Sequence, residues 1–572
     1  MSRALRSAGW TSGDDETALE HRVALRMGGA HVTASNSRPI IGIAYSAGDL
    51  SPCNLPLAAL ADAAARGVRQ AGGIPAIFAT ISLGEDLMKP SAMLYRNLLS
   101  IEVEETVRAN PIDGVVLLTN CDKSTPGALM GAISTDLPTI LAVGGNRPAP
   151  MFQGKRIGTG TDLWRMLDRR RAGKIDNATW KEFENCYACG IGSCNTLGTA
   201  STMALMAEAL GFSLPSAGTV QAGSSRSVEI AEASGRRAVE LVEWDLRPSR
   251  ILTKAALHNA TVVLQAIAGS TNAVLHLAAI AGRAGLTFDQ DMLQHIGSAV
   301  PVLADVEPTG RYLMAELDQA GGLPAIVHLL RDLIDPSAVT VTGGGLSGIE
   351  GPLGVAIRPR RDPVFPGPAI RGVRGSLAPD GAVLKAATSS PQLWRHRGPA
   401  LVFSDYLQMR ARLDDPDLDV DQDTVLVLRG CGPIGVPGMP EWGMVPIPQR
   451  LAQHGVTDMV RVTDARMSGT SYGTVFLHAA PEAALGGPLA LVRDGDPILV
   501  DVEAGRLDLD IEPAELVRRR AAWIRPASEH LRGWPALYQR HVMQAPTGCD
   551  LDFLVADTDA KRRFVEPVIG RS

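Results

Sequence analysis

Three cysteines stand in polar, turn-rich segments of the sequence rather than in apolar runs. Cys53 precedes a predicted helix, Cys121 directly follows a predicted strand, and Cys194 precedes a second predicted helix. Ligand sites in open α/β sheets gather at the carboxyl ends of strands, and a helix N-terminus favours the thiolate that binds metal. The three thiols are therefore candidate metal ligands. Unpaired cysteines are also common packing residues, and spacing alone does not choose between the two roles.

Four further cysteines have weaker claims to chemistry. Cys186 and Cys189 form a CxxC pair, but no second pair accompanies them, and structural zinc needs four ligands. We interpret them as ordinary thiols, and Cys431 and Cys549 as buried thiols. A total of seven cysteines is sparse and odd in number, so a disulfide framework is not expected. A reducing, cytoplasmic location fits this usage.

Acidic residues near predicted strand ends are candidates for a hard cation. Asp122 and Lys123 follow Cys121 directly, Glu85 follows another predicted strand, and Glu441 lies in the Gly- and Pro-rich segment 432–443. Carboxylates at loop tips are usually just solvated, so each residue alone is weak evidence. Together, such oxygen ligands suit Mg²⁺.

Small hydroxyl residues alternate with glycine in the segment 464–473, DARMSGTSYG. Ser468 and Thr470 stand on either side of Gly469, and glycine allows a backbone to approach a ligand closely. The alternative is an ordinary Gly-Ser turn, because no adjacent histidine offers the base that usually activates a serine.

The elements that would position these residues change in character along the chain. Short apolar runs alternate with helical patterns, which indicates a parallel sheet covered by helices. The predicted strands are 40–44, 74–79, 114–118 and 139–143, and the predicted helices include 57–70, 93–108 and 199–210. Gly and Pro become dense at 359–382, a plausible domain junction.

After this junction the pattern becomes that of a β domain. Short β-type runs at 424–428, 489–492 and 498–502 are separated by turn signals at 493–496 and 503–505, and a helix is predicted near 514–523. We therefore predict an α/β domain over 1–370 that carries the cysteines and most of the Mg²⁺ ligands. A β-barrel-like domain over 371–572 would carry Glu441 and the Ser468 loop.

Length and composition limit the classes of protein. The 572 residues are too many for one ordinary domain, and 45% hydrophobic with 20% charged residues is typical of a globular protein. A net charge of −6 argues against a nucleic-acid binder. No apolar run is long enough to span a membrane, and residues 1–16 lack the apolar core of a secretory signal.

Taken together, these segments resemble a dehydratase family that includes dihydroxy-acid dehydratase, 6-phosphogluconate dehydratase and the sugar-acid (aldonate) dehydratases. The resemblance runs from about residue 5 to 554, and segments at 5–10, 82–85, 93–97 and 537–554 resemble the sugar-acid branch. The motifs that carry it are PCN at 52–54, CDK at 121–123, SCN at 193–195 with GTASTM at 198–203, GSTNA at 269–273, PGMPE at 437–441 and DARMSGTSYG at 464–473.

The resemblance implies a role for each candidate. Cys53, Cys121 and Cys194 would hold an iron–sulfur cluster, 2Fe–2S rather than 4Fe–4S in this branch, with an open iron that acts as a Lewis acid. Mg²⁺ would be bound by Glu85, Asp122, Glu441 and a carbamylated Lys123. Ser468, as an alkoxide, would remove the C2 proton of a sugar acid, and Thr470 would help to orient either the substrate or the serine. The product would be a 2-keto-3-deoxy acid, and the enzyme a homodimer or homotetramer.

The sequence also departs from the family pattern. The loop 45–50 before the first cysteine is altered, Pro56 replaces a frequent histidine, Thr119 and Asn120 replace glycines, Ala268 replaces a glycine, and 144–147 reads differently. These changes are expected to border the substrate pocket. The alternatives are a dihydroxy-acid dehydratase of branched-chain amino-acid synthesis, which needs a smaller and more apolar pocket, and an inactive relative with a structural or redox-sensing cluster.

Overall fold

The computed structural model describes residues 4–346, 348, 354–556 and 565–570. Its strands are β1 (Ile40–Tyr45), β2 (Ile74–Ala79), β3 (Gly114–Thr119), β4 (Thr139–Val143), β5 (Met151–Phe152), β6 (Lys155–Arg156), β7 (Ile370–Val373), β8 (Gly381–Lys385), β9 (Arg395–Phe403), β10 (Val425–Leu428), β11 (Arg461–Thr463), β12 (Val475–Ala480), β13 (Pro497–Asp501) and β14 (Arg506–Leu509). Its α-helices are α1 (Ala8–Thr11), α2 (Glu16–Met27), α3 (Leu57–Gln70), α4 (Met93–Ala109), α5 (Ser124–Thr135), α6 (Thr161–Arg171), α7 (Asn177–Tyr187), α8 (Thr199–Ala209), α9 (Ser225–Glu243), α10 (Pro248–Ile251), α11 (Lys254–Ala266), α12 (Asn272–Arg283), α13 (Gln290–Gly297), α14 (Met314–Gln319), α15 (Gly322–Leu329), α16 (Tyr406–Arg412), α17 (Gln449–Gln453), α18 (Pro513–Ala522) and α19 (Gly533–His541).

A four-stranded parallel sheet organises the first part of the chain, in the order β2-β1-β3-β4. Strands β3 and β4 are buried along their whole length, as expected where helices cover both faces. Helices α3 and α9 cross at Gly67 and Gly235. A Cβ on Gly67 would lie 1.9 Å from Glu232 O, and one on Gly235 would lie 2.0 Å from Ala64 O, so only glycine permits this approach.

An eight-stranded sheet organises the later part, in the order β14-β13-β9-β10-β11-β12-β8-β7. Its four central strands, β9 to β12, are parallel, and the flanking strands are antiparallel. Arg374, just beyond β7, bridges to Arg506 in β14, so the sheet is nearly closed. The predicted fold class, a parallel α/β domain followed by a barrel-like domain, is confirmed.

The predicted elements of the α/β part are found with ends shifted by at most one residue. One element of the barrel-like part was wrong, since 489–492 is not a strand. Pro488–Leu491 forms a 3₁₀ helix with proline in its first turn. Its carbonyl groups are satisfied by Arg429, whose Nη1 donates to Leu489 O at 3.3 Å and to Ala490 O at 2.7 Å, so no neighbouring strand is needed.

One hydrophobic core joins the two sheets. It contains helix and strand residues of the α/β part together with Ile370, Val383, Met467, Val475 and Leu477 of the later part. The strands of the first sheet lie within 40–143 and those of the second within 370–509. A domain division at 370 stays a prediction.

Candidate active site

Cys53 and Cys121 lie at the carboxyl ends of the adjacent strands β1 and β3. Asn120 ties their loops together, because its Nδ2 donates to Cys53 O at 2.6 Å and to Gly145 O at 2.9 Å. The backbone N–H of Cys121 in turn donates to Asn54 Oδ1 at 3.1 Å. The two thiols influence each other: the Cys121 thiol lowers the pKa of Cys53, and the Cys53 thiol raises the pKa of Cys121. The topology of the sheet thus brings two thiols from distant parts of the sequence together.

Cys194 completes the thiol group from the segment before α8. It interacts electrostatically with Cys53 and with Arg147, whose Nη2 lies 3.7 Å from Cys53 Sγ. Cys194 keeps some solvent exposure, yet burial raises the pKa of its thiol to about 12. The expectation that a helix N-terminus would lower this pKa was wrong, because α8 begins at Thr199 and Cys194 lies outside its first turn.

Lys123 lies where three carboxylates converge. Its Nζ is 2.9 Å from Glu441 Oε1 and 3.0 Å from Glu85 Oε2, and it also contacts Asp122. Glu85 and Asp122 come from loops of the α/β part, whereas Glu441 comes from the loop after β10. Two residues that sequence reasoning did not single out hold Glu441, since Asn272 Nδ2 donates at 2.7 Å and Arg466 Nη1 at 2.8 Å.

The electrostatics of this group suit a cation. Burial opposes ionisation of Glu441, but Lys123 and Arg466 outweigh it and lower the pKa of Glu441 to about 2. Burial raises the pKa of Glu85, and its Oε2 is close to Lys123 without hydrogen-bond geometry. An acceptor that is buried and incompletely satisfied is the kind of oxygen that a divalent cation would use.

Neither the three thiols nor the carboxylates around Lys123 form a compact site for a single ion. Across the described ranges, no three His, Cys, Asp or Glu side chains are grouped closely enough to hold a single metal ion. Around Lys123 the ammonium itself lies between the carboxylates. Thiols that are spread apart suit a cluster, whose irons and sulfides keep its cysteine ligands separated. The donor sets therefore fit the two implied groups. Three thiols suit an iron–sulfur cluster, and three carboxylates with a lysine that carbamylation would turn into an oxygen ligand suit Mg²⁺.

The Ser468 loop projects from the barrel-like part into the α/β part. Ser468 Oγ lies 3.0 Å from Thr470 Oγ1, and Trp164 Nε1, on α6, donates to the same Thr470 oxygen at 3.0 Å. A Cβ on Gly469 would lie 2.6 Å from Ser270 Oγ, so glycine is required for this insertion. Ser468 remains partly exposed, as a residue that meets a substrate must.

The remaining residues named from sequence lie apart from these groups or behind them. Cys186 and Cys189 are partly exposed near the end of α7, and Cys431 and Cys549 are buried. His276, which its apolar helix predicts to be a packing residue or a helper near the site rather than a metal ligand, is fully buried in α12, with Nδ1 3.2 Å from Arg96 Nη1. Pro56, in place of the frequent histidine, is the N-cap of α3. The two residues not predicted from sequence, Arg466 and Asn272, lie within the motifs at 464–473 and 269–273. Their places in these motifs could have indicated a role in the site.

Comparison with known proteins places the chain in a family. Residues 38–349 match the model described as dihydroxy-acid/6-phosphogluconate dehydratase N-terminal, and residues 355–549 match its C-terminal counterpart. No helix in the described part of the chain is both long and apolar enough to cross a membrane.

Several relatives match over nearly the whole chain. L-arabonate dehydratase of Azospirillum brasilense is 46% identical over 570 residues, covering 97% of this chain and 98% of the relative. The 6-deoxy-6-sulfo-D-gluconate dehydratase of Pseudomonas putida is 45% identical over 559 residues, 96% of each chain. A dihydroxy-acid dehydratase of Moorella thermoacetica is 37% identical over 527 residues, 90% of this chain and 95% of the relative. With both of its halves matched and its motifs gathered at one interface, the chain belongs to the dihydroxy-acid/6-phosphogluconate dehydratase family and is a hydro-lyase.

Proposed function

We propose that the chain dehydrates a sugar acid, such as a pentonate or hexonate, to a 2-keto-3-deoxy acid. The observation that carries the proposal is the meeting of three groups at one interface: the thiols, the carboxylates around Lys123 and the Ser468–Thr470 pair. Asn272 Nδ2 donates both to Glu441 Oε1 and to Met467 O, next to Ser468. A Cβ on Gly198 would lie 2.7 Å from Thr470 Cγ2 and 3.9 Å from Cys194 Cβ. Relatives named for sugar acids are 44–46% identical to the chain, against 37% for a dihydroxy-acid dehydratase. This difference favours the sugar-acid branch.

The chain's residues would hold two groups. Cys53, Cys121 and Cys194 would bind an iron–sulfur cluster, 2Fe–2S rather than 4Fe–4S. Glu85, Asp122, Glu441 and a carbamylated Lys123 would bind Mg²⁺. When bound, the two groups supply Lewis acidity for the leaving hydroxyl and for the carboxylate end of the substrate.

Ser468 would act as the base. Its Oγ takes the proton from C2, the C2 electrons form the C2–C3 double bond as the C3–O bond breaks, and the departing hydroxide takes that proton from Ser468 and leaves as water. The enol then tautomerises to the 2-keto acid. A free serine hydroxyl is too weak an acid to be ionised at neutral pH, so its surroundings must stabilise the alkoxide.

Thr470 provides part of that stabilisation. Because Trp164 Nε1–H donates to Thr470 Oγ1, the hydroxyl proton of Thr470 is left to donate to Ser468 Oγ. Hydrogen bonds in such a chain strengthen one another in a partly buried site. Thr470 thus orients the serine and favours its charged form.

Activity on defined substrates tests the proposal. The protein is reconstituted anaerobically with iron, sulfide and Mg²⁺, and 2-keto acid formation is measured on C5 and C6 aldonates with 2,3-dihydroxyisovalerate alongside. We expect turnover of at least one aldonate, lost in Ser468→Ala and kept in Ser471→Ala, whose hydroxyl is buried in the same loop without a hydrogen-bond partner among the described residues. Turnover of dihydroxyisovalerate alone would assign the chain to amino-acid synthesis. An intact cluster without any turnover would support the inactive relative.

The assembly and location are proposals of the same kind. We propose a cytoplasmic homodimer or homotetramer with a domain division near residue 370. Sparse, unpaired cysteines support the location, since the seven cysteines of the described structure are all free thiols. Light scattering of the reconstituted protein tests the subunit number.

A further inference from the structure

Arg147 connects the loops of two of the candidate cluster cysteines. Its Nη2 lies 3.7 Å from Cys53 Sγ, its Nε donates to Gly192 O at 3.1 Å, and its backbone N–H donates to Ser193 O at 2.9 Å. The segment 144–147 is also one of the places where the sequence departs from the family pattern. The shared chemistry assigns no role to Arg147, so its contact with a candidate cluster ligand needs an explanation of its own.

The backbone fixes the position of this guanidinium. Gly145 and Gly192 both have positive φ, +94° and +119°, and a Cβ on Gly192 would lie 2.9 Å from Arg147 N. Asn146 is held on both sides, since its N–H donates to Val220 O at 2.9 Å and its carbonyl accepts from Ala222 N at 2.9 Å. Arg147 is thus held beside the thiols by a rigid loop rather than by a mobile surface contact.

The charges around the thiols make Arg147 distinctive. The carboxylate of Asp86 disfavours the thiolate form of Cys53 and of Cys194, and the carboxylate of Asp122 disfavours that of Cys53. Arg147, in contrast, favours the thiolate form of both cysteines. A hydrogen bond and a positive charge at a ligating sulfur withdraw electron density from the cluster and favour its reduced form, which carries one more negative charge.

We propose that Arg147 is a positioning residue for the cluster: by donating to the sulfur of Cys53 it raises the reduction potential of the cluster and strengthens the Lewis acidity of its open iron. This inference rests on the proposed function, because it needs the cluster. Arg147 acts through the thiolate and does not touch the reacting atoms.

The reduction potential tests this directly. Wild-type protein, Arg147→Met and Arg147→Lys are reconstituted anaerobically, their iron and sulfide are measured, and each is titrated with dithionite while the cluster is followed by visible absorption and electron paramagnetic resonance. The matched control is Arg226→Met, since Arg226 pairs with Asp318 away from the thiols. We expect the lowest midpoint potential in Arg147→Met, an intermediate value in Arg147→Lys, and the wild-type value in Arg226→Met.

Other outcomes would overturn the inference in distinguishable ways. Equal potentials in all four proteins would remove the role of Arg147 and leave the proposed function intact. Equal potentials with a raised KM in the Arg147 variants would make Arg147 a substrate-binding residue instead. A wild-type protein that holds no cluster would refute the proposed function itself. If Arg147→Met does not retain its cluster, the comparison of Arg147→Lys with wild type decides.

Discussion

Trp164 Nε1 lies 3.0 Å from Thr470 Oγ1, so an indole in the α/β part holds the hydroxyl that in turn holds Ser468. The serine loop is therefore oriented from outside its own part of the chain. Breaking the indole contact should weaken the base without removing it.

Trp164→Phe is expected to lower kcat about fivefold with little change in KM, because one hydrogen bond is worth roughly 1 kcal/mol. Steady-state kinetics on the best aldonate measure this. Trp180→Phe, on α7, is the control and should keep wild-type kcat. An unchanged kcat in Trp164→Phe would show that Thr470 needs no support from the indole.

Each of Cys53→Ser, Cys121→Ser and Cys194→Ser should lose most of the reconstituted iron and visible absorption. Three thiolates from three loops hold one cluster in our proposal, and a serine oxygen is a poor substitute for a soft sulfur ligand. Cys186→Ser and Cys189→Ser, whose thiols are partly exposed, are the matched controls and should retain both signals. Loss in the controls and retention in the first set would reverse the assignment.

Activity should depend jointly on Mg²⁺ and bicarbonate. Burial and Arg466 oppose the charge on Lys123, but the three carboxylates outweigh them and raise the pKa of Lys123, so the ammonium persists until a cation competes for these oxygens. Only the neutral amine reacts with carbon dioxide, so activation after chelator treatment should be faster at higher pH. Time courses of activity after readdition of each component measure this. Lys123→Arg should stay inactive, and full activity of the chelated, CO₂-free enzyme would contradict carbamylation.

Lys385→Met should raise the free energy of unfolding at pH 7 by on the order of 1–3 kcal/mol. Lys385 is buried without a hydrogen-bond partner among the described residues, and burial lowers its pKa from 10.5 to about 7. The unfolded chain therefore binds the extra proton between pH 7 and about 10, so wild-type stability should rise with pH across this window.

Denaturant titrations at pH 7 and 9 compare the two proteins. The stability gap between Lys385→Met and wild type should narrow at pH 9, and Lys254→Met, at an exposed position, should match wild type at both values. A gap that does not change with pH would mean that Lys385 is charged in the folded protein.

Sequence reasoning succeeded where burial dictates residue type. Fully buried parallel strands such as β3 must be runs of apolar residues, and the polar residues that follow them fall at the sheet edge, which is why Cys121, Asp122 and Lys123 could be placed. The strand predicted at 489–492 was wrong, because a distant arginine satisfies the backbone carbonyls of a 3₁₀ helix there. The role of Asn272 depends on a contact with Glu441 across the interface, and that of Arg466 on a contact with Glu441 between two loops of the barrel-like part. Local sequence patterns encode neither contact.

The division of the site between the two sheets has a consequence during protein synthesis. The thiols all precede residue 195, whereas Glu441 and Ser468 follow the junction. A ribosome therefore exposes every cysteine of the site long before the serine. On the proposed chemistry, a nascent or prematurely ended chain that binds iron and sulfide at its three cysteines would still lack the serine base. Dehydration would begin only after the barrel-like part has folded against the cluster site.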